Sequence, residues 1–333
     1  MKNPIPVSFS LTATVLLLAA CGGGGSSVSD PNETAAEAAS ATASTNARCT
    51  TIVPFYWEIG DVNGKLASGS VGANAPISST RMPIASASKW LYAAYVVEKR
   101  GASGVSAIDD VPYLNFTSGY SNFPLPTCPG SGGTVDQCIE GVRGTLNATE
   151  AAGRLFHYNA GHMEKHASNF GLGSKNGETM ATEIRSVLGT DLNITFTDVL
   201  MAGGGITDAD SYARFLRKLL VGSPTPLRIG SVLGSHSVCT LPRVCPTAVS
   251  SPNPSDWHYS LGHWVEDDDA SVKAGMTGYS SAGALGFYPW VNASRSMYGV
   301  IARSSSQSDV QDGFESAQCG RLIRQAFVNR TKL

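Results

Sequence analysis

Ile84-Ala85-Ser86-Ala87-Ser88-Lys89-Trp90-Leu91 is the stretch whose reading decides the fold. Its apolar continuation, Trp90, Leu91, Ala93, Ala94, Val96 and Val97, covers more than one helical face before Gly101, so a buried helix is predicted here. Ser86 and Lys89, three apart, fall on the same side of that helix. A serine hydroxyl is a poor nucleophile until a base takes its proton, and a lysine serves only if desolvation strips its charge; apolar neighbours supply that condition. The helix start adds backbone N–H groups and a dipole that favour an anion. Ser86 is therefore the candidate nucleophile and Lys89 the candidate base. A chain of this length yields on the order of one Ser-x-x-Lys by accident, so the pair needs support from elsewhere.

Upstream, Thr51-Ile52-Val53 and Phe55-Tyr56-Trp57-Glu58-Ile59-Gly60 read as strand, Asp61-Val62-Asn63-Gly64 as a turn, and Lys65 to Gly72 as a second strand. Downstream, residues 104–251 are mostly helix and loop, with Asp208 to Leu220 the clearest amphipathic helix. Strand-like runs resume at Tyr259 to Val265, Ala282 to Val291 and Ser296 to Ala302, and a helix from Phe314 to Val328 closes the chain. Strands at both ends of a helical middle predict an α+β fold, an antiparallel sheet flanked by terminal helices with a mainly helical subdomain inserted. The sheet part is assigned to residues 49–103 and 255–333, the helical part to 104–254.

The 333 residues, 42% hydrophobic, can bury a full-sized core, and a net charge of -2 lacks the basic excess of a nucleic-acid binder. Residues 1–21 read as an export signal: Lys2, then an apolar run from Val7 to Ala20 too short to span a bilayer. Leu18-Ala19-Ala20-Cys21 resembles a lipoprotein lipobox, which makes Cys21 the lipidation candidate and the cell envelope the location, at the outer membrane or its periplasmic face; an ordinary secretory signal is the alternative. Residues 22–48, rich in Gly, Ser, Ala and Thr, read as a flexible tether, and 49–333 as the folded domain. Of seven cysteines, six remain once Cys21 is set aside, an even set in an oxidising compartment. Cys128 with Cys138 and Cys239 with Cys245 would close short loops, leaving Cys49 to Cys319; sequence does not fix the connectivity.

Ile84 to Lys89 resembles the first motif of the penicillin-recognising serine hydrolases, which include class C β-lactamases, D-Ala-D-Ala peptidases, esterases and 6-aminohexanoate-oligomer hydrolases. Further runs agree in order. Ser106 to Asp110 with Thr117 to Tyr120 resembles the segment leaving the active-site helix. Phe156-His157-Tyr158-Asn159-Ala160-Gly161 resembles the second motif, Ala202 to Ile206 the following glycine turn, and Tyr259 to Trp264 with Ala282 to Trp290 the strand pair beside the site. The resemblance implies a β-lactamase/transpeptidase-like fold and a Ser-Lys-Tyr acyl-enzyme mechanism without a cofactor. Ser86 would be the nucleophile, Lys89 the base and Tyr158 the proton relay, its phenol expected to have a lowered pKa. The N–H groups of Ser86 and Ala284 would hold the oxyanion, with Asn159, Ser281 and Gly283 beside the substrate.

The departures from that pattern carry information. Where Tyr-x-Asn is usual, this chain has Tyr158-Asn159-Ala160; a shifted register would instead use His157 and Asn159. Where Lys-Thr-Gly is usual, it has Ser281-Ala282-Gly283, without the cation that would hold a carboxylate; Lys273-Ala274-Gly275 lies nearby but lacks a following strand and reads as loop. The substrate is thus expected to be a neutral small-molecule or oligomeric ester or amide, not a β-lactam. The alternative is an envelope penicillin-binding or sensor protein with peptidase-like or negligible turnover. His162 and His166, four apart, have metal-site spacing, but the glutamate is out of zincin order; a surface helix is the reading preferred and no metal is called for.

Overall fold

A computed structural model describes residues 34–124, 130–141, 145–306 and 310–333, together with residues 1 and 128. The signal, the Cys21 lipidation site and part of the 122–142 loop fall outside them. The main sheet has seven antiparallel strands in the order β2-β1-β12-β11-β10-β9-β8. These are β1 (Phe55–Asp61), β2 (Gly64–Val71), β8 (His258–Ser260), β9 (His263–Glu266), β10 (Gly278–Ser280), β11 (Tyr288–Asn292) and β12 (Tyr298–Ala302). Two small sheets complete the set: β3 (Met82–Pro83), β6 (Gly205–Thr207) and β5 (Thr195–Phe196), and a parallel pair of β4 (Phe156–His157) with β7 (Ala248–Ser250).

Both faces of the sheet are covered, which is why β1 and β12 read as nearly continuous apolar runs rather than alternating ones. The helices, in chain order, are α1 (Ala35–Thr45), α2 (Ala47–Thr50), α3 (Ser88–Arg100), α4 (Val111–Leu114), α5 (Val135–Gly141), α6 (Ala148–Gly153), α7 (Gly161–Ala167), α8 (Gly177–Leu188), α9 (Ala209–Arg217), α10 (Asp269–Lys273) and α11 (Val310–Asn329). Tyr298 and Ile301 point to opposite faces. On one, Arg217 of α9 donates to the Tyr298 hydroxyl at 3.2 Å; on the other, Gly320 of α11 packs directly against Tyr288 and Ile301. No helix among the described residues is long and apolar enough to cross a membrane.

Order begins earlier than residue 49. The segment assigned to a tether contains α1, with a capping box between Thr34 and Glu37 and a face of Ala38, Ala39, Thr42 and Ala43 buried against α11. Alanine is the best helix former, and a stripe of small side chains lets two helices approach closely, so no large apolar residue is needed. The Thr42 hydroxyl accepts from the backbone N–H of Leu333 at 2.9 Å, joining the two ends of the described chain. Cys49–Cys319 staples the same region, and Cys128–Cys138 and Cys239–Cys245 close the two short loops.

Two strand assignments shift. Residues 282–286 form a turn between β10 and β11, not the start of a strand, although Ser281 and Gly283 donate to Pro289 and Phe287 and so prolong the ladder. A strand does follow Lys273, since β10 begins at Gly278; Lys273 itself ends α10 in solvent.

Candidate functional site

The site is built where α3 meets the end of β10. A single 3-10 turn, Ala85–Ala87, feeds α3 and carries Ser86, half-buried. Ala85 holds φ 43°, a left-handed conformation that costs a non-glycine residue roughly 1 kcal/mol or more and persists only if its surroundings enforce it. They do: the Ile84 N–H donates to the Gly205 carbonyl at 3.0 Å, the Gly205 N–H to Ser88 Oγ at 3.0 Å, and the Tyr212 hydroxyl to the Ala87 carbonyl at 2.8 Å. The result presents Ser86 ahead of the helix instead of within it.

Lys89 is one turn behind and 4% exposed. Its Nζ donates to Ser86 Oγ at 2.8 Å and to the Ala202 carbonyl at 2.6 Å. Burial brings its pKa down to about 7, against an opposing pull from the Glu164 carboxylate. At neutral pH a large fraction of this lysine is uncharged and able to accept a proton.

Tyr158 follows β4 and is fixed through its N–H to the Ser250 carbonyl at 3.0 Å. Its ring stacks on Trp264 at 5.4 Å and meets Phe116 and Tyr259 edge-on, at 5.1 and 5.8 Å. Lys89 Nζ lies 4.8 Å from the ring centroid, a cation–π distance when the lysine is charged. The expected lowered phenol pKa does not hold: burial among these rings pushes it up, and the contact with the Ser86 side chain only partly opposes this. Tyr158 is a neutral hydroxyl, and the low-pKa member of the group is Lys89.

Ser281 and Gly283 lie against the nucleophile turn. Ser281 Oγ donates to the Ser86 carbonyl at 3.1 Å, and a Cβ at Gly283 would fall 2.2 Å from the Ile84 carbonyl, so only glycine fits. Among the described residues, no hydrogen bond takes up the backbone N–H of Ser86 or of Ala284. The Asn159 amide is held in place by neighbouring backbone: Nδ2 donates to the Phe123 carbonyl at 3.2 Å and Oδ1 accepts from the Gly161 N–H at 2.9 Å. His157, the shifted-register candidate, is paired with Glu150 at 3.1 Å.

Sequence reading missed what surrounds this group. The helix α7, predicted to lie on the surface, is buried, and its histidines are committed elsewhere: His162 to Ser118 and the His157 carbonyl, His166 to Tyr92 and Asp110. No metal-ligand cluster occurs among the described residues. Between them Glu164, fully buried, accepts from the Ala202 N–H at 3.1 Å, and burial pushes its pKa up to about 8. Its signal in the sequence was an acid on a helix directly after Tyr158, masked by the histidine spacing.

No family model matches the chain, and no curated relative does. Solved structures do. A D-amino acid amidase from Ochrobactrum anthropi SV3 aligns at TM-score 0.60 and 12% identity over 82% of this chain and 95% of that one. EstCE1, a hydrolase with promiscuous acyltransferase activity, gives 0.59 and 11% over 85% and 99%. A putative β-lactamase from Bacteroides dorei gives 0.54 and 18% over 80% and 93%. The fold is that of β-lactamases and penicillin-binding proteins, as the motif order implied.

Proposed function

We propose that this protein is a serine hydrolase cleaving neutral ester or amide bonds by a two-step acyl transfer. The observation that carries the reading is the 2.8 Å contact between Ser86 Oγ and a lysine that burial brings near neutral pKa. In the first step the Ser86 proton passes to Lys89 Nζ as Oγ bonds to the substrate carbonyl carbon. The carbonyl oxygen, now negative, is received by the uncommitted N–H groups of Ser86 and Ala284, whose fixed dipoles stabilise it without reorganisation. Collapse expels the leaving group, which takes its proton from Lys89 through the neutral Tyr158 hydroxyl; water then repeats the sequence on the acyl-enzyme. Neutral Tyr158 suits a relay because it can donate and accept in one motion.

The end of β10 supports this substrate class. Ser281 supplies a neutral hydroxyl already bonded to the Ser86 carbonyl, at the position where a cation would hold a carboxylate. Three disulfides suit an oxidising compartment, in keeping with export and a lipid anchor at Cys21. The test is hydrolysis of p-nitrophenyl esters and linear amides: Ser86→Ala is expected to abolish turnover, and kcat/KM to rise through about pH 7 as Lys89 loses its proton. Retained turnover in Ser86→Ala would sink the assignment. A β-lactam adduct that persists at Ser86 without ester turnover would select the sensor reading instead.

A further inference from the structure

Behind the nucleophile lies an acid that this mechanism does not use. Glu164 Oε1 accepts from the Ala202 N–H at 3.1 Å and the Met201 N–H beside it also favours the carboxylate, while Oε2 has no hydrogen-bond partner among the described residues. The carbonyl of that same Ala202 accepts from Lys89 Nζ at 2.6 Å. One residue is thus held by the acid on its amide side and by the base on its carbonyl side. Holding an N–H would need only a neutral acceptor; a carboxyl with one bare oxygen in the core is a costly way to do it.

We propose that Glu164 is a positioning residue for Lys89: it grips the Ala202 peptide that receives the lysine, and its own ionisation sets the pH range over which Lys89 takes the Ser86 proton. The inference deepens the hydrolase reading and rests on it. With both members protonated, the carboxyl is neutral, the lysine charged, and no base exists. Loss of one proton leaves either a neutral pair or an ion pair; burial penalises the two charges and their mutual attraction opposes this, so the one-proton state is shared between them and only its neutral-pair part has a free amine. Loss of the second leaves a carboxylate whose field pulls a proton back toward the lysine. The two titrate as a unit.

The groups around them do not supply another counter-charge. Tyr92 of α3 is a neutral phenol bonded to His166, and burial pushes its pKa up. His162, on the same helix as Glu164, is brought down to about 3 by burial and is uncharged. Asp110, before α4, is closed by Arg100 and His166; Asp136 of α5 accepts from Ser168; Tyr158, in front, is neutral. Lys89 is the one cation among the described residues that acts on Glu164.

The experiment follows two rates across pH: kcat/KM for p-nitrophenyl acetate, and labelling of Ser86 by a fluorophosphonate read by intact mass, in which an Oγ–P bond forms as fluoride leaves. The unmutated protein should show an acid limb spread over two ionisations. In Glu164→Gln the limb should collapse to one, with its midpoint lower by about one pH unit, the usual size of a single neighbouring charge. Glu164→Ala, which also frees the Ala202 N–H, should lose about ten-fold in rate that Gln restores, since Gln keeps an acceptor. A midpoint in Glu164→Gln that stays put or moves up overturns the proposal. Should that variant fail to fold, a single-ionisation limb in the unmutated protein overturns it alone. Labelling of Ser86→Ala at the unmutated rate would mean that the hydrolase reading itself has failed; labelling confined to Ser86 with a single-ionisation limb means that only the role of Glu164 has.

Discussion

Among the acids buried in this molecule, Glu58 and Glu164 have surroundings that differ in kind. Glu58, on β1, has both oxygens taken: the Tyr298 hydroxyl donates to Oε1 at 2.6 Å and the Tyr56 hydroxyl to Oε2 at 2.7 Å, with Lys65 at 4.0 Å. Glu164 has one oxygen bonded and one bare, with a lysine as its only ionic partner among the described residues. An acid with both oxygens bonded fixes geometry. An under-satisfied one sits near the balance between charged and neutral, where a neighbour's proton can move it. The contrast separates the part of the core that holds the sheet together from the part that sets the chemistry.

Several variants would break or sharpen that contrast. The largest effect is expected at the base itself: Lys89→Met should cost about a thousand-fold or more in kcat/KM with the melting temperature retained or raised, because a buried amine is replaced by an apolar chain of similar length. Activity within ten-fold of the unmutated protein would move the base elsewhere. Next comes Glu58→Ala, which strands two tyrosine hydroxyls in the sheet; by denaturant unfolding it should lose about 3 kcal/mol while the pH limb of activity stays where it was. A shifted limb would mean that Glu58 is electrically coupled to the site, and the two acids would no longer be different. Then Tyr158→Phe, which keeps the stacking on Trp264 and removes only the relay, should lower kcat about a hundred-fold. If instead only KM changed, the hydroxyl would be binding substrate rather than carrying protons.

The same contrast explains what could be read from the sequence. The Ser86-to-Lys89 spacing and the β1–β2 hairpin were legible because each is local, a matter of periodicity or turn chemistry within a few residues, and the motif order because it resembles a known family's. Residues 282–286 read as strand because they are apolar, but the close approach of Gly283 to Ile84 bends the chain there, and that contact spans two hundred positions. The α1 helix was taken for a tether because small residues look the same in a linker and in a tight helix pair; the difference lies in α11, at the other end of the chain. Tyr158 was located, but its proton affinity was read with the wrong sign, since that depends on Trp264, Phe116 and Tyr259 closing around it. Glu164 was hidden for the same reason: whether an acid on a helix faces water or a lysine is decided by packing.

The smallest effect is a thermodynamic one, and it needs no substrate. An acid whose folded pKa is raised, from 4.5 to about 8, keeps its proton in the folded state while the unfolded chain has released it. Between those values the folded protein binds more protons than the unfolded one, so Glu164 makes stability fall as pH rises. Lys89 acts in the opposite sense: its pKa is lowered from 10.5 to about 7, so across that interval the unfolded chain holds the extra proton and stability rises with pH. Below pH 7 only the first effect operates. One proton corresponds to a slope of about 2 °C per pH unit at most for a chain of this size. Replacing Glu164 by Gln should remove a falling component of that size from the melting temperature between pH 5 and 7, seen as the difference between variant and unmutated protein. Glu58→Gln, measured alongside, should lower the melting temperature, because an amide NH2 replaces one of the two oxygens that accept from the tyrosine hydroxyls. A Glu164→Gln melting curve with the same slope as the unmutated protein between pH 5 and 7 would mean that Glu164 does not hold its proton in the folded state.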